Sequence, residues 1–296
     1  MFDGCYVALV TPFRDGDVDH DALTDLVNYV ISGGVSGLVP CGTTGESPAL
    51  ADAEQIDVIK TVVKAANKRV PVLAGTGSNC TAKTVSASKA AVDAGADAVM
   101  VVAPYYNKPN QAGLFAHYAA VAEAVACPIV IYNIPGRSAV EVSVDTIARL
   151  YDTYANIAAI KHATGSLNGA SELAAACDIK ILSGDDPLTL PLMSVGARGV
   201  ISVIGNLLPH EMSSLVRSAL EGDFAAARQW HARLFPTMQA IMGLDTNPIP
   251  IKTALAINGM MTDEFRLPIT QMAPKQREQL ETLLTTVASQ DVRRSA

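Results

Sequence analysis

Eight short β-branched runs recur about every 25–35 residues, each followed by a longer alanine-rich stretch of helical period, and this predicts a closed (β/α)8 barrel. Two further observations favour closure over an open sheet. Most of the runs are almost continuously apolar, as parallel strands covered on both faces must be. No break in composition divides the 296 residues. The predicted architecture is α/β: a TIM barrel over residues 1–208, with a C-terminal helical extension over residues 209–296 packed on it as part of the same domain.

In chain order, the strands are read at residues 5–10, 37–40, 71–74, 98–102, 128–132, 157–160, 179–182 and 200–203. The segments between them carry helix signals. Residues 21–31 end in Ser32-Gly33-Gly34, a glycine stop. Residues 52–67 place Ile56, Ile59, Val62 and Val63 on one helical face. Residues 81–94 close on Gly95, and residues 112–126 are followed by Pro128. From about Pro209 to Ser289 the pattern gives three or four helices and no further strand.

Composition narrows the function classes. The chain is 49% apolar and 17% charged, enough to bury a large core. Net charge is −7 with Lys and Arg scattered, which argues against nucleic acid or an anionic membrane as partner. Apolar runs fall short of the roughly 18–20 residues of a membrane span. Met1-Phe2-Asp3-Gly4 opens no signal peptide, and five cysteines without a CxxC pair read mostly as reduced, buried small hydrophobes. A cytoplasmic protein is expected.

Barrel chemistry belongs at the carboxyl ends of the strands, while the opposite rim serves stability. Those ends carry Gly42-Thr43-Thr44-Gly45-Glu46, Gly75-Thr76-Gly77, Tyr105-Tyr106-Asn107, Tyr132 to Arg137, Lys161-His162, Gly184-Asp185-Asp186 and Ile201 to Asn206. Of the ten lysines, only Lys161 projects from such an end; Lys180 precedes its strand on the stability side. A lysine among apolar strand residues tends to lose its proton, and a neutral amine can attack a carbonyl to form an imine. Position alone leaves the bland alternative, a structural ion pair, open.

The neighbouring candidates are similarly two-sided. Tyr132 could relay protons or be a core aromatic. Thr43 and Thr44 could hold a carboxylate with backbone N–H groups or form an ordinary turn. Arg137 suits bidentate carboxylate recognition or a surface salt bridge. Other motifs fail. Gly75-Thr76-Gly77 lacks the third glycine of a dinucleotide loop, and Asp185-Asp186 has no histidine cluster to make a metal site.

Taken together, Gly42-Thr43-Thr44-Gly45-Glu46, Tyr132-Asn133-Ile134-Pro135-Gly136-Arg137 and Lys161-His162-Ala163-Thr164-Gly165 resemble the dihydrodipicolinate synthase/N-acetylneuraminate lyase family. The likeness runs from Gly4 to the helical tail. The paired threonines, Tyr105-Tyr106-Asn107-Lys108-Pro109 and Pro135-Gly136-Arg137 lie closer to the ring-forming synthases than to the sialic acid lyases. Those lyases typically carry a Ser-Thr pair and no arginine at position 137.

The resemblance implies a set of roles. Lys161 forms a Schiff base with pyruvate, Thr44 holds the pyruvate carboxylate, and Ile201 presents a backbone carbonyl near the nucleophile. Tyr132, Thr43 and Tyr106 form a proton relay, with Tyr106 reaching in from an adjacent subunit of a homo-oligomer, commonly a tetramer built as a dimer of dimers. Arg137 binds the carboxylate of L-aspartate 4-semialdehyde and helps position Tyr132. No cofactor and no metal are implied, and the product belongs to lysine and diaminopimelate biosynthesis. The alternative is a sister pyruvate-dependent aldolase or lyase acting on a sugar-like 2-oxo acid; a non-catalytic barrel would have no use for such a lysine.

Two departures stand out. His162 follows the nucleophile where many relatives have an acid, and is expected to face the barrel wall. Where some relatives bind regulatory L-lysine, this sequence offers Lys83, Asp52 and Gln55. Lys83 would repel a ligand ammonium, so weak or absent inhibition by L-lysine is expected.

Overall fold

The computed structural model describes residues 1–294, with side chains through residue 285. Eight parallel strands form one sheet: β1 (Gly4–Ala8), β2 (Gly37–Val39), β3 (Leu73–Gly75), β4 (Ala98–Val102), β5 (Ile129–Asn133), β6 (Ile157–His162), β7 (Lys180–Ser183) and β8 (Gly199–Ser202). Their spatial order is β2-β1-β8-β7-β6-β5-β4-β3. A parallel bridge between Leu38 and Val72 joins the outer two strands and closes the barrel. The strands begin and end within about two residues of the apolar runs, the ordinary uncertainty of an element end.

Helices α1 (His20–Ser32), α2 (Asp52–Ala66), α3 (Thr81–Asp93), α4 (Gln111–Ala124), α5 (Val144–Thr153), α6 (Leu167–Ala176), α7 (Thr189–Ser194) and α8 (Pro209–Leu220) alternate with the strands. Alternation along each strand divides the core into two shells. Tyr6, Val39, Leu73, Met100, Val130, Ala159, Leu182 and Ile201 fill the bore. Their neighbours Val7, Leu38, Val99, Ile131, Ile160, Ile181 and Val200 pack outward under the helices. Each large apolar side chain so buried contributes about 1.5–3 kcal/mol, which is why the strands read as nearly unbroken apolar runs.

The amino ends of the strands carry the stability features expected there. Asp3 accepts from Arg198 Nε at 2.6 Å and lies 3.8 Å from Lys180 Nζ. Lys180 is the first residue of β7 rather than preceding it, but it stays on this side.

After the barrel come α9 (Phe224–Gly243), α10 (Ile249–Ile257) and α11 (Pro274–Arg294). Together with α8 they make the upper of the two helix numbers read from the sequence. This segment is fastened to the catalytic rim by charge. The Arg266 guanidinium donates to both carboxylate oxygens of Glu54 at 2.7 and 2.8 Å. That fork, with the Ala51 N–H, pulls the Glu54 carboxyl down to about 2. Among the described residues, no helix is long and apolar enough to cross a membrane.

Candidate active site

The β5–β6 register sets Tyr132 directly beside Lys161. Because Ala159 lies in the bore, the period of two turns Lys161 inward as well and sends Ile160 and His162 to the outer wall. Lys161 is 4% exposed, and its Nζ lies 4.3 Å from the centre of the Tyr132 ring. It forms no ion pair or hydrogen bond with any described residue. The structural ion pair that the sequence left open is therefore not made here.

His162 takes the outward place. Its Nε2 lies 2.9 Å from the Ser166 carbonyl and 2.9 Å from Thr164 Oγ1. A carbonyl only accepts, so Nε2 carries the proton and ties down the loop that follows Lys161.

Close approach at two points makes room for the site. A Cβ on Gly184, just after β7, would sit 3.2 Å from both Cγ and Cε of Lys161 and 2.6 Å from the Ala163 Cβ. A Cβ on Gly75 would sit 2.3 Å from the Cys41 carbonyl oxygen, so this glycine lets β3 close against the threonine turn. The glycine pair that failed as a nucleotide loop has a packing reason instead.

A cavity of about 550 Å³ opens at the carboxyl ends of the strands, lined by Thr43, Tyr105, Tyr132 and Arg137 among others. Thr44, 2% exposed, and Lys161 are not among the residues that line it. Arg137 rides on a one-turn helix, Pro135–Ser138, and donates from Nη2 to the Asn247 carbonyl at 3.2 Å. No described carboxylate pairs with Arg137, so its guanidinium is not consumed by a salt bridge. Ile201, 1% exposed, faces the bore opposite Tyr6 on β1. Tyr106 stands apart within the single chain, 88% exposed and at a φ of +74°. Asp52, Gln55 and Lys83 also line this cavity.

The other groups near the mouth are poorly suited to nucleophilic or metal chemistry. Burial pushes the Cys41 thiol up to about 12, so it is not a thiolate near neutral pH. Asp186 is spent on backbone, its Oδ2 accepting from Val203 N–H at 2.9 Å and Ile204 N–H at 3.0 Å. Among the described residues no group of three or more His, Cys, Asp or Glu could hold a metal ion.

Comparison with known proteins now decides the family. The dihydrodipicolinate synthetase family model matches residues 1–287. The chain belongs to that family. A 4-hydroxy-tetrahydrodipicolinate synthase of Methanocaldococcus jannaschii is 48% identical over 284 residues, covering 96% of this chain and 98% of the relative. The 4-hydroxy-tetrahydrodipicolinate synthase of Methylacidiphilum fumariolicum SolV has a solved structure that superposes with a TM-score of 0.97 at 44% identity, covering 99% and 98% of the two chains. A chloride-inhibited dihydrodipicolinate synthase of Acinetobacter baumannii, solved in complex with pyruvate, superposes at 0.95 with 41% identity over 97% and 99%.

Against this dihydrodipicolinate synthetase frame, three residues matter that sequence reasoning left without a role. Glu46 closes the threonine motif at a left-handed φ of +53°, and its Oε1 accepts from Lys252 Nζ at 2.6 Å. Both side chains are fully buried, and Lys252 Nζ lies 4.1 Å from the centre of the Phe13 ring. The signal for Lys252 was present: it is the one charge in the largely apolar helix Ile249–Ile257. Asn247 donates from Nδ2 to Thr44 Oγ1 at 3.1 Å, a contact that no local pattern announces.

Proposed function

We propose that this chain is a 4-hydroxy-tetrahydrodipicolinate synthase, a lyase that condenses pyruvate with L-aspartate 4-semialdehyde by a class I aldolase-type mechanism. The observation that carries the reading is Lys161: buried at the catalytic end of the barrel, beside Tyr132, with no charge partner among the described residues. Family membership and relatives of that name support it.

In this reading the Lys161 amine adds to C2 of pyruvate, and loss of water gives an imine. Loss of a C3 proton leaves an enamine, with the lysine nitrogen as electron sink and no cofactor required. The enamine carbon attacks the aldehyde, whose oxygen takes a proton and becomes the 4-hydroxyl. The amino group of the former semialdehyde then adds to C2 and expels Lys161, closing the ring. Thr44 and adjacent N–H groups take the pyruvate carboxylate, and Arg137 takes that of the semialdehyde. Thr43, Tyr132 and a partner copy's Tyr106 carry the protons, and the Ile201 carbonyl faces the nucleophile.

The outward, exposed setting of Tyr106 supports a homo-oligomer of at least two chains, with a tetramer as the family-typical form. The reading places the enzyme in the cytoplasm, in lysine and diaminopimelate biosynthesis. Lys83 in the lining of the cavity supports weak or no inhibition by L-lysine; half-inhibition at sub-millimolar L-lysine would overturn that point.

The central test is reduction with borohydride in the presence of pyruvate, peptide mapping of the adduct, and an assay of ring formation with the semialdehyde. An adduct at Lys161 with ring formation is the expected result. No adduct there overturns the Schiff-base reading, and an adduct without ring formation assigns the chain to the sister aldolases.

A further inference from the structure

The two groups proposed to receive substrate carboxylates, Thr44 and Arg137, are joined through one residue outside the barrel. Asn247 reaches Thr44 with its side chain and Arg137 with its backbone carbonyl. It stands at the entry to α10, where Ile249 N–H donates to the Thr246 carbonyl at 2.8 Å and Lys252 N–H to that of Pro248 at 3.0 Å. The same helix is pinned to the threonine motif by the buried Lys252–Glu46 pair, two residues beyond Thr44. Asn247 is therefore fixed relative to both groups.

The polarity of the side-chain contact has a chemical consequence. A hydroxyl has one proton and two lone pairs. Asn247 Nδ2 can only donate, so it occupies a lone pair of Thr44 Oγ1 and leaves the Thr44 proton to point elsewhere. Thr44 is 2% exposed and no described residue accepts that proton; the Asn247 Oδ1, on the far side of the same carboxamide, is buried and has no donor of its own among the described residues. A turn prepared this way favours an acceptor, such as a carboxylate oxygen, over a group that itself donates.

We propose that Asn247 is a positioning residue for both substrates. Its carboxamide keeps the Thr44 hydroxyl in the donor sense that selects 2-oxo carboxylates over 2-oxo amides, and its carbonyl holds the Arg137 guanidinium in place for the second carboxylate. This rests on the synthase reading above and adds a specificity determinant to it.

The test measures the pyruvate concentration at which borohydride traps half of the protein at Lys161. Asn247→Ala removes the donor and should raise that concentration about tenfold, the worth of one hydrogen bond to a charged group. Asn247→Asp has almost the same shape but can only accept, so it turns the Thr44 proton toward itself and repels the substrate. It should raise the concentration about a hundredfold, at an unchanged unfolding midpoint. A packing role gives the reverse order, because the size-conserving change would be the milder one; an Asp effect no greater than the Ala effect overturns the proposal. Should the Asp variant not fold, the Ala variant still decides. Its preference for pyruvate over pyruvamide should narrow about tenfold, and an unchanged preference overturns the role. Failure of the wild-type protein to trap pyruvate would overturn the synthase reading itself. Normal trapping with unaffected variants overturns only the role of Asn247.

Discussion

Two lysines are buried at the catalytic end of this barrel, and their surroundings are opposites. Lys252 is fully enclosed, with Glu46 at 2.6 Å and the ring of Phe13 beneath its ammonium. Burial pushes that ammonium down from its ordinary value, while the charge of Glu46 works against the shift. Lys161, 4% exposed, has a tyrosine ring and small apolar neighbours but no carboxylate among the described residues. Burying a lysine without an acid to pair it is costly, so a lysine kept in that setting is placed for chemistry, whereas one with a matched acid is placed for architecture. Burial alone does not separate them. The presence or absence of the acid does.

The largest expected effect tests that contrast directly. Lys161→Ala should abolish the pyruvate adduct and lower ring formation by at least about a thousandfold, as expected when a covalent nucleophile is lost. Its urea unfolding midpoint should be unchanged or higher, since no interaction with an acid is given up. Lys252→Met should still trap pyruvate at Lys161. If Lys252→Met abolishes trapping in a folded protein, the division of roles is wrong.

Stability should show the reverse pattern. Lys252→Met or Glu46→Gln alone leaves one buried polar group without its counterpart and should cost about 3–5 kcal/mol. The double variant should cost clearly less than the sum of the two, because the partners are removed together. Additive losses in urea titrations would show that the pair is not an energetic unit. Arg137 gives a smaller and purely functional effect. Arg137→Ala removes a guanidinium that no described carboxylate engages, so stability should hold. The KM for the semialdehyde should rise about tenfold to a hundredfold, the worth of a charge-assisted pair. Trapping of pyruvate in that variant should be close to wild type.

These contrasts also indicate how much was written in the sequence. The barrel was legible because strands covered on both faces must be almost continuously apolar, and the runs at 98–102 and 128–132 are. Lys161 was legible because it ends such a run on the side where barrels do chemistry. The bond between Asn247 and Thr44 was not, since it spans 203 residues and depends on how the segment after α9 returns to the mouth. Lys252 lies between. One charge in an apolar helix announces a buried charge, but only the fold shows that Glu46 meets it. Tyr106 is the limiting case, because its proposed role needs a second copy of the chain.

A buried acid extends the comparison from lysines to carboxylates. Glu46 has a cation, whereas Asp186 has none: backbone N–H groups donate to its Oδ2, the Ser202 hydroxyl lies beside the carboxyl, and Oδ1 has no hydrogen-bond partner within bonding geometry among the described residues. Burial accordingly pushes the Asp186 carboxyl up from 3.8 to about 6, with the Ser202 hydroxyl and the Ile204 and Val203 N–H donors opposing the shift. The folded protein holds this proton more tightly than the unfolded chain does. Stability from this group is therefore greatest below about pH 4, declines as pH rises toward 6, and is level above. His117, which burial lowers to about 4, slopes the other way over much of the same range. A single wild-type curve would mix the two, but the difference between wild type and Asp186→Asn cancels His117. Across pH 4 to 6 that difference should shift by about 1–2 kcal/mol in favour of the variant, as the ionisation it avoids begins to cost the wild type. Parallel curves would mean that Asp186 is already relieved by a donor to Oδ1. The rule drawn from the lysines, that an unpartnered buried charge weakens the fold, would then not extend to the acid side of this site.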